Sequence, residues 1–366
     1  AEKAIRLGGE STAAAITQAV QELYPEHKFT EAEFARKDNA AEIAVDTNFA
    51  AQSFWKDVRI RFFRKKSAVL GLVMIMIILL LAIFGPGMNA YTYSGQDLSQ
   101  KNFAPRVPGI EQFGILDGSE KMSTTTGTKI VNNYVEKGKD DVYYWFGSDL
   151  YGRDIWTRTW EGARVSLIIA VAAAIIDMVI GMSYGLISGY FGGRVDMVMQ
   201  RFLEVANGIP RLVIVTLLLL VLQPGMVTII FALMLTEWVG MSRIARAEML
   251  KLKDQEFVLA SRTLGAGSFF IIFKEVLPNI IGPIITQVMF SIPTAIFTEA
   301  FLSFVGLGIP VPQCSLGSLI SELYNSFTTH PYQIIPPIVV MSLLMLSFNL
   351  VADGLREALD PKMKSM

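Results

Sequence analysis

The chain has 366 residues, of which 52% are hydrophobic and only 18% are charged, with a net charge of −1 and a mean hydropathy of +0.43. A soluble domain carries about a quarter charged residues, so this composition indicates a membrane protein without general attraction to nucleic acid. The single cysteine, Cys314, excludes an intrachain disulfide, and the two histidines lie at opposite ends of the chain. We therefore expect neither a catalytic nor a metal site.

Residues 1–66 carry much of the charge and end in the basic stretch RIRFFRKK. Residues 1–50 are polar and contain no apolar segment of the kind found in signal peptides. We expect residues 1–66 to form a cytoplasmic segment.

Six apolar segments follow, each predicted to cross the membrane, a crossing that takes about 20 helical residues. The first is predicted at 67–87 and is followed by an outer loop, 88–164. A five-helix core, 165–355, and a cytoplasmic tail, 356–366, complete the chain. We therefore expect an all-α integral membrane protein, with Pro210, Pro283 and Pro293 kinking their helices. The five later spans are predicted at 165–190, 202–222, 226–239, 280–308 and 334–354.

The end of the outer loop, YYWFGSDLYGRDIWTRTWEGARVSL, mixes aromatic residues with arginines. This composition favours a helix at the membrane interface, with Trp145, Trp156 and Trp160 at headgroup level.

The distribution of Lys and Arg predicts the orientation of the spans. Basic residues precede the first span, lie between the second and third and between the fourth and fifth, and follow the sixth. The short loops on the other side, 223–225 and 309–332, contain neither Lys nor Arg. Both termini and the loop 243–279 are therefore expected on the cytoplasmic side.

The loop 243–279 has the pattern of two short helices separated by glycine. Asp254 is the predicted N-cap of the first helix, and Glu256 falls in its first turn, where the helix dipole favours negative charge. Gly265 suits the C-terminus of this helix. Ser268 is the predicted cap of a second helix, which ends at Leu277-Pro278.

The first of these helices is weakly amphipathic, with Phe257, Ala260 and Leu264 recurring at helical spacing. By pattern alone, two interpretations are equally good. The helix could pack against its own bundle or the lipid surface, or it could dock to a partner protein.

The same stretch resembles the cytoplasmic EAA loop of permease subunits of ABC importers. The consensus of that loop is E-A-A, three residues, G, nine residues, I, one residue, L-P. Gly265 matches the glycine, and Leu277-Pro278 matches the final pair. The first three positions, 259–261, are Leu-Ala-Ser, and the isoleucine position holds Glu275.

Other segments resemble the oligopeptide/dipeptide branch of these permeases and together span roughly 53–362. They indicate the C-type permease of a peptide importer and the type I permease fold. The outer loop over 109–139 is longer than usual for the family, and residues 1–50 have no counterpart. The segments are SFWKDVRIRFFRKKSAV, FGSDLYGRDIWTRTWEGARVSL, SGYFGGRVDMVMQRFLEVANGIPRL, EAFLSFVGLGIPVP and FNLVADGLREALDPK.

The resemblance implies partners that supply energy and substrate. The sequence lacks the phosphate-binding pattern G-x-x-x-x-G-K-[ST], so ATP and Mg are expected on two separate cytoplasmic ATPase subunits. A second homologous permease subunit, an extracytoplasmic peptide-binding protein, a peptide substrate and the lipid bilayer of the cell membrane complete the expected partners. A cytoplasmic helix packed on the ATPase is one hypothesis for residues 1–50.

In this family, the cytoplasmic loop couples the permease to the ATPase. The resemblance gives Phe257 and Leu264 the role of apolar anchors, and it places Glu256 and Arg262 on the polar rim. Gly265 would allow two backbones to approach closely.

Acidic residues within predicted spans are costly and commonly face the bundle interior. Asp177 and Glu299 are the candidates for the translocation pathway, and Glu237 lies near the inner end of the fourth span. Hydrogen bonding between helices, or pairing with the other permease, is the alternative. It is favoured for Glu299 and evenly balanced for Asp177.

Other functions predict different features. A permease for nickel or another small solute would share the same architectural segments. A secondary transporter would show inverted repeats, and the sequence contains no convincing repeat. An intramembrane enzyme would need a nucleophile and a base, or metal ligands, within the spans, and neither His27 nor His330 lies in one.

Overall fold

A computed structural model describes residues 54–124 and 127–359. The chain divides into two compact units, 1–56 and 57–366, and the following description concerns the second. The predictions for residues 1–50 and for the end of the tail, 360–366, lie outside the described residues. The helices are α1 (Phe54–Arg64), α2 (Lys66–Phe84), α3 (Asn133–Glu136), α4 (Ile155–Ile176), α5 (Met182–Phe191), α6 (Gly193–Gly208), α7 (Arg211–Val221), α8 (Met226–Thr236), α9 (Trp238–Leu252), α10 (Glu256–Thr263), α11 (Ser268–Phe270), α12 (Leu277–Leu302), α13 (Leu316–Tyr324) and α14 (Ile335–Leu359).

π-Helical turns at Asp177–Gly181 and Ile271–Val276 join neighbouring helices into longer segments, and a third, Ser303–Leu307, extends the end of α12. Among the described residues, five segments are long and apolar enough to cross a membrane, and α6 with α7 makes a sixth when counted as one bent span. The predicted helical membrane fold with six spans is thus confirmed. The five segments are Lys66–Gly87, Ile155–Phe191, Met226–Leu252, Ser268–Leu307 and Pro331–Leu359.

The third span is not a continuous helix, because α6 and α7 meet at an angle of 80°. Ile209 between them is extended, with φ −83° and ψ 123°, and Pro210 follows. The proline ring excludes the helical conformation for the residue before it, which explains the break. Pro283 and Pro293, in contrast, lie inside the uninterrupted helix α12.

Two predicted boundaries were wrong. The second helix of the cytoplasmic loop does not end at Leu277-Pro278, because it runs without interruption from Ser268 into the fifth span. Pro278 lies in the first turn of α12, directly after a π-turn, where its missing N–H costs little. The second span begins at Ile155 rather than near residue 165, since Asp154 accepts a hydrogen bond from the Thr157 N–H (2.8 Å) and caps the helix there.

This earlier start changes the surroundings of the tryptophans. Trp160 is buried, and a Cβ on Gly85 would lie 2.7 Å from its ring. The Trp156 indole N–H donates to the Gly85 carbonyl oxygen (2.9 Å). Trp160 is thus buried in protein at the end of the first span, and the headgroup level of the three tryptophans stays a prediction.

The apolar core of the bundle is built from all the unbroken spans. Ile78 from the first span, Ile169 from the second and Ile229 from the fourth are buried together with Ile296 from the fifth and Leu344 from the sixth. Small residues of the second span, including Ala170 and Ala173, fill the space between these side chains. Close packing of this kind holds helices together in lipid, where burial of apolar surface gives little driving force.

The outer loop is ordered around a small aromatic cluster, formed by Phe103, Tyr134 and Tyr144. The Tyr134 hydroxyl donates to the carbonyl oxygen of Ala104 (2.8 Å), and Tyr144 stacks on Tyr91 at 4.5 Å between ring centroids. A hairpin, β1 (Ser119–Thr124) and β2 (Gly127–Asn132), pairs antiparallel from Ser119↔Asn132 to Thr124↔Gly127. This hairpin is a small β element within an otherwise helical protein.

A contact between Glu120 and His330 joins the hairpin to the loop before the sixth span. The Glu120 carboxylate lies 2.9 Å from the His330 Nδ1 atom. Burial raises the pKa of Glu120, and the neighbouring histidine partly opposes this rise.

A buried ionic cluster fixes the outer loop to α13. The Arg158 guanidinium donates to Asp149 (2.7 Å) and to Glu322 (2.6 Å), and Arg153 donates to the same two carboxylates. Burial opposes ionisation of Glu322, but the two guanidinium groups outweigh it and lower the pKa of this carboxyl. Gly152 makes room for the arrangement, since a Cβ there would lie 1.8 Å from the Asp97 carbonyl oxygen.

Substitution Arg158→Ala is expected to destabilise the protein by about 3–5 kcal/mol, because it leaves two carboxylates partly uncompensated in a buried site. The control is Arg201→Ala, which removes an exposed pair with Glu204 and should cost no more than about 1 kcal/mol. Cys314 is the single cysteine and is buried, so the temperature at which a thiol-reactive dye labels it reports unfolding in detergent. Equal midpoints for the two variants would contradict the prediction.

Candidate functional site

The loop between the fourth and fifth spans contains one short helix, α10. Its N-cap is Gln255, in the extended conformation and without a side-chain cap, so the prediction of Asp254 was wrong. A turn closed by the Gln255 N–H bonded to the Leu252 carbonyl oxygen (3.0 Å) places the extended residue one position later. Ser268 is likewise the first residue of α11 and not its cap, which is Gly267.

The C-terminus of α10 lies where the sequence predicts it. Gly265 has φ +85°, the left-handed conformation that glycine adopts without strain. Its N–H bonds to the Arg262 carbonyl oxygen (2.9 Å), and the Ala266 N–H bonds to that of Ser261 (3.0 Å). These two bonds form a Schellman motif, which gives the short helix a defined end.

One side of α10 is anchored in the bundle by Val258, which is fully buried. Val258 packs in a cluster with Met249 of α9, Leu186 of α5 and Ile272 of the fifth segment. The Arg262 guanidinium lies 4.8 Å above the ring of Tyr190 and makes a cation–π contact. The helix is therefore held against three membrane-spanning segments.

A stripe of three glycines brings the second span into close contact with α9. A Cβ on Gly181 would lie 2.5 Å from the Trp238 carbonyl oxygen, and a Cβ on Gly185 would lie 2.1 Å from that of Ser242. Gly189, four residues further, packs on Met249 in the same way. Small residues at every fourth position allow helix backbones to meet closely, so the second span and α9 pack backbone against backbone.

An ion pair links α9 to α6 beside this contact. Arg246 of α9 donates to both carboxylate oxygens of Asp196 at 2.6 Å each, and the Ser188 hydroxyl donates to one of them (2.5 Å). The two parallel bonds fix the orientation of the carboxylate as well as its position.

Apolar side chains are exposed on α10, at its C-terminal end and on α11. The coupling patch, named for the role proposed below, consists of Phe257, Leu259, Leu264 and Phe269, of which Leu264 is 88% and Phe269 is 75% exposed. Leu259 and Phe269 were not among the residues predicted, although both occur in the apolar pattern of the loop. Exposed apolar surface on an anchored helix is typical of a protein contact.

The other residues predicted for this loop surround the patch or lie apart from it. Glu256, Ala260 and Arg262 are exposed on α10. Leu277 is half-buried and Pro278 is exposed, and both lie at the start of α12 rather than on α10.

Asp177 is buried at the π-turn of the second span. One of its oxygens accepts a hydrogen bond from the Ser291 hydroxyl of α12, and the other has no hydrogen-bond partner among the described residues. π-Turns within helices occur frequently at functional sites. An incompletely satisfied buried carboxylate at such a turn makes Asp177 a candidate for contact with a ligand.

A cleft of about 240 Å³ opens on the face of α12 beyond Ser291. Thr236, Thr294 and Thr298 contribute hydroxyl groups to its wall, and the remaining lining is apolar. The Thr298 hydroxyl lies 3.4 Å from a carboxylate oxygen of Glu237. Among the described residues, no group of three or more His, Cys, Asp or Glu is placed to hold a metal ion.

Glu299 is fully buried and accepts hydrogen bonds from three hydroxyl groups. They belong to Ser166 (3.1 Å), Ser303 (2.7 Å) and Ser315 (2.5 Å). The Ser166 hydroxyl in turn accepts from the Leu316 N–H (3.1 Å). One carboxylate thereby joins the second span, the fifth segment and α13, an arrangement suited to a structural link.

Comparison with known proteins identifies two family models within the chain. Residues 181–365 match the binding-protein-dependent transport system inner membrane component, and residues 53–105 match the N-terminal membrane domain of oligopeptide transport permease C. The oligopeptide transport system permease protein OppC of Bacillus subtilis is 41% identical over 312 residues, 85% of this chain and 91% of that protein. The dipeptide transport system permease protein DppC of Lactococcus lactis is 42% identical over 318 residues, 85% of this chain and 92% of that protein.

Among solved structures, an inward-facing form of the MetNI methionine ABC transporter aligns with a TM-score of 0.47 at 16% identity. The alignment covers 54% of this chain and 94% of that one.

Substitution Glu299→Ala is expected to destabilise the protein by about 2 kcal/mol or more, because buried hydroxyl groups lose their acceptor. Glu299→Gln retains one acceptor oxygen and should cost less. Labelling of Cys314 during heating measures both effects. Unchanged stability of Glu299→Ala together with loss of transport would assign Glu299 to the pathway instead.

Proposed function

The chain belongs to the family of inner-membrane components of binding-protein-dependent transport systems, and we propose that it is a permease subunit of an ATP-driven importer of oligopeptides or dipeptides. It is a multi-pass membrane protein and a transport component. The observation that carries the proposal is the coupling patch, an exposed apolar surface on a short, capped helix that is anchored to the spans. The names of the oligopeptide and dipeptide relatives support the substrate class.

The coupling patch is proposed to bind a separate cytoplasmic ATPase, which holds the ATP and Mg. Two such subunits, a second homologous permease and an extracytoplasmic peptide-binding protein would complete the transporter. The absence of a phosphate-binding loop from the sequence supports an energy source outside this chain. In this arrangement both termini and α10 lie in the cytoplasm, as the distribution of basic residues predicts.

Movement of the ATPase would reach the membrane through the contacts of α10. Val258 transmits displacement to the cluster around Met249, and the glycine stripe transmits it from α9 to the second span. Because these contacts are tight, the group moves as a body and does not deform locally. The spans would then alternate between inward-open and outward-open states, with the bundle forming half of the pathway.

Asp177 is the proposed contact of the pathway with the substrate, because its second carboxylate oxygen can accept a hydrogen bond from an ammonium group. The cleft beyond Ser291, lined by apolar side chains and three threonines, would form part of the same wall. Glu299 is assigned a structural role, since three hydroxyl groups already satisfy its carboxylate.

The double substitution Leu264→Ser with Phe269→Ser tests the coupling patch. Loss of two exposed apolar anchors is expected to weaken ATPase binding by about 1.4 kcal/mol or more, a tenfold or larger decrease in affinity. The measurement is the amount of ATPase retained on the tagged permease across a dilution series, with Leu98→Ser, an exposed apolar residue of the outer loop, as the control. Unchanged retention, with equal thermal midpoints, would contradict the proposed coupling.

Asp177→Asn tests the pathway assignment. The variant keeps an acceptor for Ser291 but loses the charge, so KM for peptide uptake is expected to rise about tenfold, the effect of one charged hydrogen bond. Uptake is measured in proteoliposomes that contain the whole complex, and Ser291→Ala controls for the loss of the hydrogen bond alone. A KM equal to that of the unmutated complex would remove Asp177 from the pathway.

A further inference from the structure

The helix α1 lies directly before the first span and thus at the membrane surface. The first span begins at Lys66, and the 19 residues of α2 make a helix of about 28 Å, close to the hydrocarbon thickness of a bilayer. Its first turn therefore marks the boundary between hydrocarbon and headgroups. Lys65, between the two helices, is extended, with φ −82° and ψ 103°, so α1 ends here instead of continuing along the span.

One side of α1 is fixed to the sixth span. Val58 and Phe62 are buried in a cluster with residues of α14. The Phe62 ring lies beside Gly354, where a Cβ would be 3.2 Å from it. The Lys65 ammonium donates to the Glu357 carboxylate of α14 (2.5 Å). These contacts determine which side of α1 points away from the protein.

The side of α1 that points away combines arginines with apolar residues. This arginine face consists of two pairs of residues four positions apart, Arg59 with Phe63 and Ile60 with Arg64. All four side chains are exposed, Phe63 to 55% and Ile60 to 38%. Since residues four apart are neighbours on a helix, each arginine has an exposed apolar neighbour.

The two arginines carry charge that the described part of the chain does not neutralise. On the remaining side of α1, Arg61 pairs with Asp57 (2.9 Å). Within residues 54–124 and 127–359, neither Arg59 nor Arg64 has an ion pair. A guanidinium offers a planar set of donors that binds phosphate oxygens in parallel pairs. The arginine face therefore suits a ligand that carries phosphate.

The position and composition of the arginine face favour a membrane lipid as the source of this phosphate. Helices that lie in the membrane interface combine apolar with basic residues, of which the apolar ones enter the acyl region and the arginines reach the headgroups. Basic residues before a span also set its orientation, but that role requires charge alone. It does not explain two exposed apolar side chains next to the charges on a helix that is packed in place.

We propose that the arginine face binds an anionic phospholipid. The guanidinium groups of Arg59 and Arg64 bind the oxygens of the phosphate and headgroup, and Phe63 and Ile60 contact the acyl chains. The inference goes beyond the proposed function, because it requires a membrane-spanning chain but neither a peptide substrate nor an ATPase.

The test counts the lipids bound to the purified full-length chain by native mass spectrometry. Phosphatidylglycerol and phosphatidylcholine with identical acyl chains are added separately, and the unmutated chain is expected to prefer phosphatidylglycerol. The double substitution Arg59→Gln with Arg64→Gln should raise the Kd for phosphatidylglycerol at least tenfold, since one arginine near an anionic surface contributes about fivefold. The matched control, Arg194→Gln with Arg243→Gln, removes two other exposed arginines and should leave this Kd unchanged.

A nitroxide label on a Phe63→Cys variant shows whether the arginine face lies in lipid, because Cys314 is buried and stays unlabelled in the folded protein. In vesicles, the proposal predicts that oxygen, which partitions into lipid, relaxes this label more than a water-soluble nickel chelate does. A label on a Leu98→Cys variant, at an exposed position of the outer loop, should show the reverse.

Three results would overturn the proposal. Equal Kd values for the two lipids on the unmutated chain, or an equal loss of binding in the control variant, would leave only diffuse attraction between charges. A label at Phe63→Cys that is as open to water as the one at Leu98→Cys would exclude contact with lipid. Loss of an ATPase or of a second permease from the arginine variant would assign the face to a subunit contact.

Discussion

The close packing of α9 on the second span is the contact on which the position of α10 depends. Gly181, Gly185 and Gly189 place the two backbones so near each other that a single Cβ would collide with a carbonyl oxygen or a side chain. Because lipid offers no hydrophobic driving force between helices, such close packing is a main source of their association. It also makes α9 a rigid support for α10, so that a force on a short surface helix acts on a long membrane helix.

The two buried carboxylates predicted for the pathway differ in the number of hydrogen bonds that they accept. Glu299 receives three hydroxyl groups from different elements and links them. Asp177 receives one, and its other oxygen lies buried at an irregular turn. A polar group without a partner in a low-dielectric interior costs free energy, so its presence calls for a function that repays the cost.

The outer loop follows the rules of a small soluble domain on top of the membrane bundle. Its aromatic cluster, its hairpin and the ion pairs of Arg158 with Asp149 and Glu322 are organised by burial from water rather than by lipid. The spacing of glycines and charges in FGSDLYGRD has a local explanation, because Gly152 lies against the Asp97 backbone and Asp154 caps the helix of the second span.

The sequence by itself determined the spans and their number, because the length of a hydrophobic segment is a local property. It also determined the glycine that ends α10 and the apolar residues of the loop, among them Phe257 and Leu264, because glycine conformation and apolar spacing are local as well. The predictions from the sequence misplaced the N-cap of α10 and the start of the second span. They also ended the helix that begins at Ser268 too early. In each case, neighbouring turns decided the boundary. Only the tertiary structure decided that Val258 faces inward while Leu264 and Phe269 face outward, and that Glu322 completes the site of Arg158. Glu322 lies more than a hundred residues from Arg158 in the chain, and Val258 faces away from Leu264 and Phe269 within one short stretch of the loop. The local pattern of residues specifies neither arrangement.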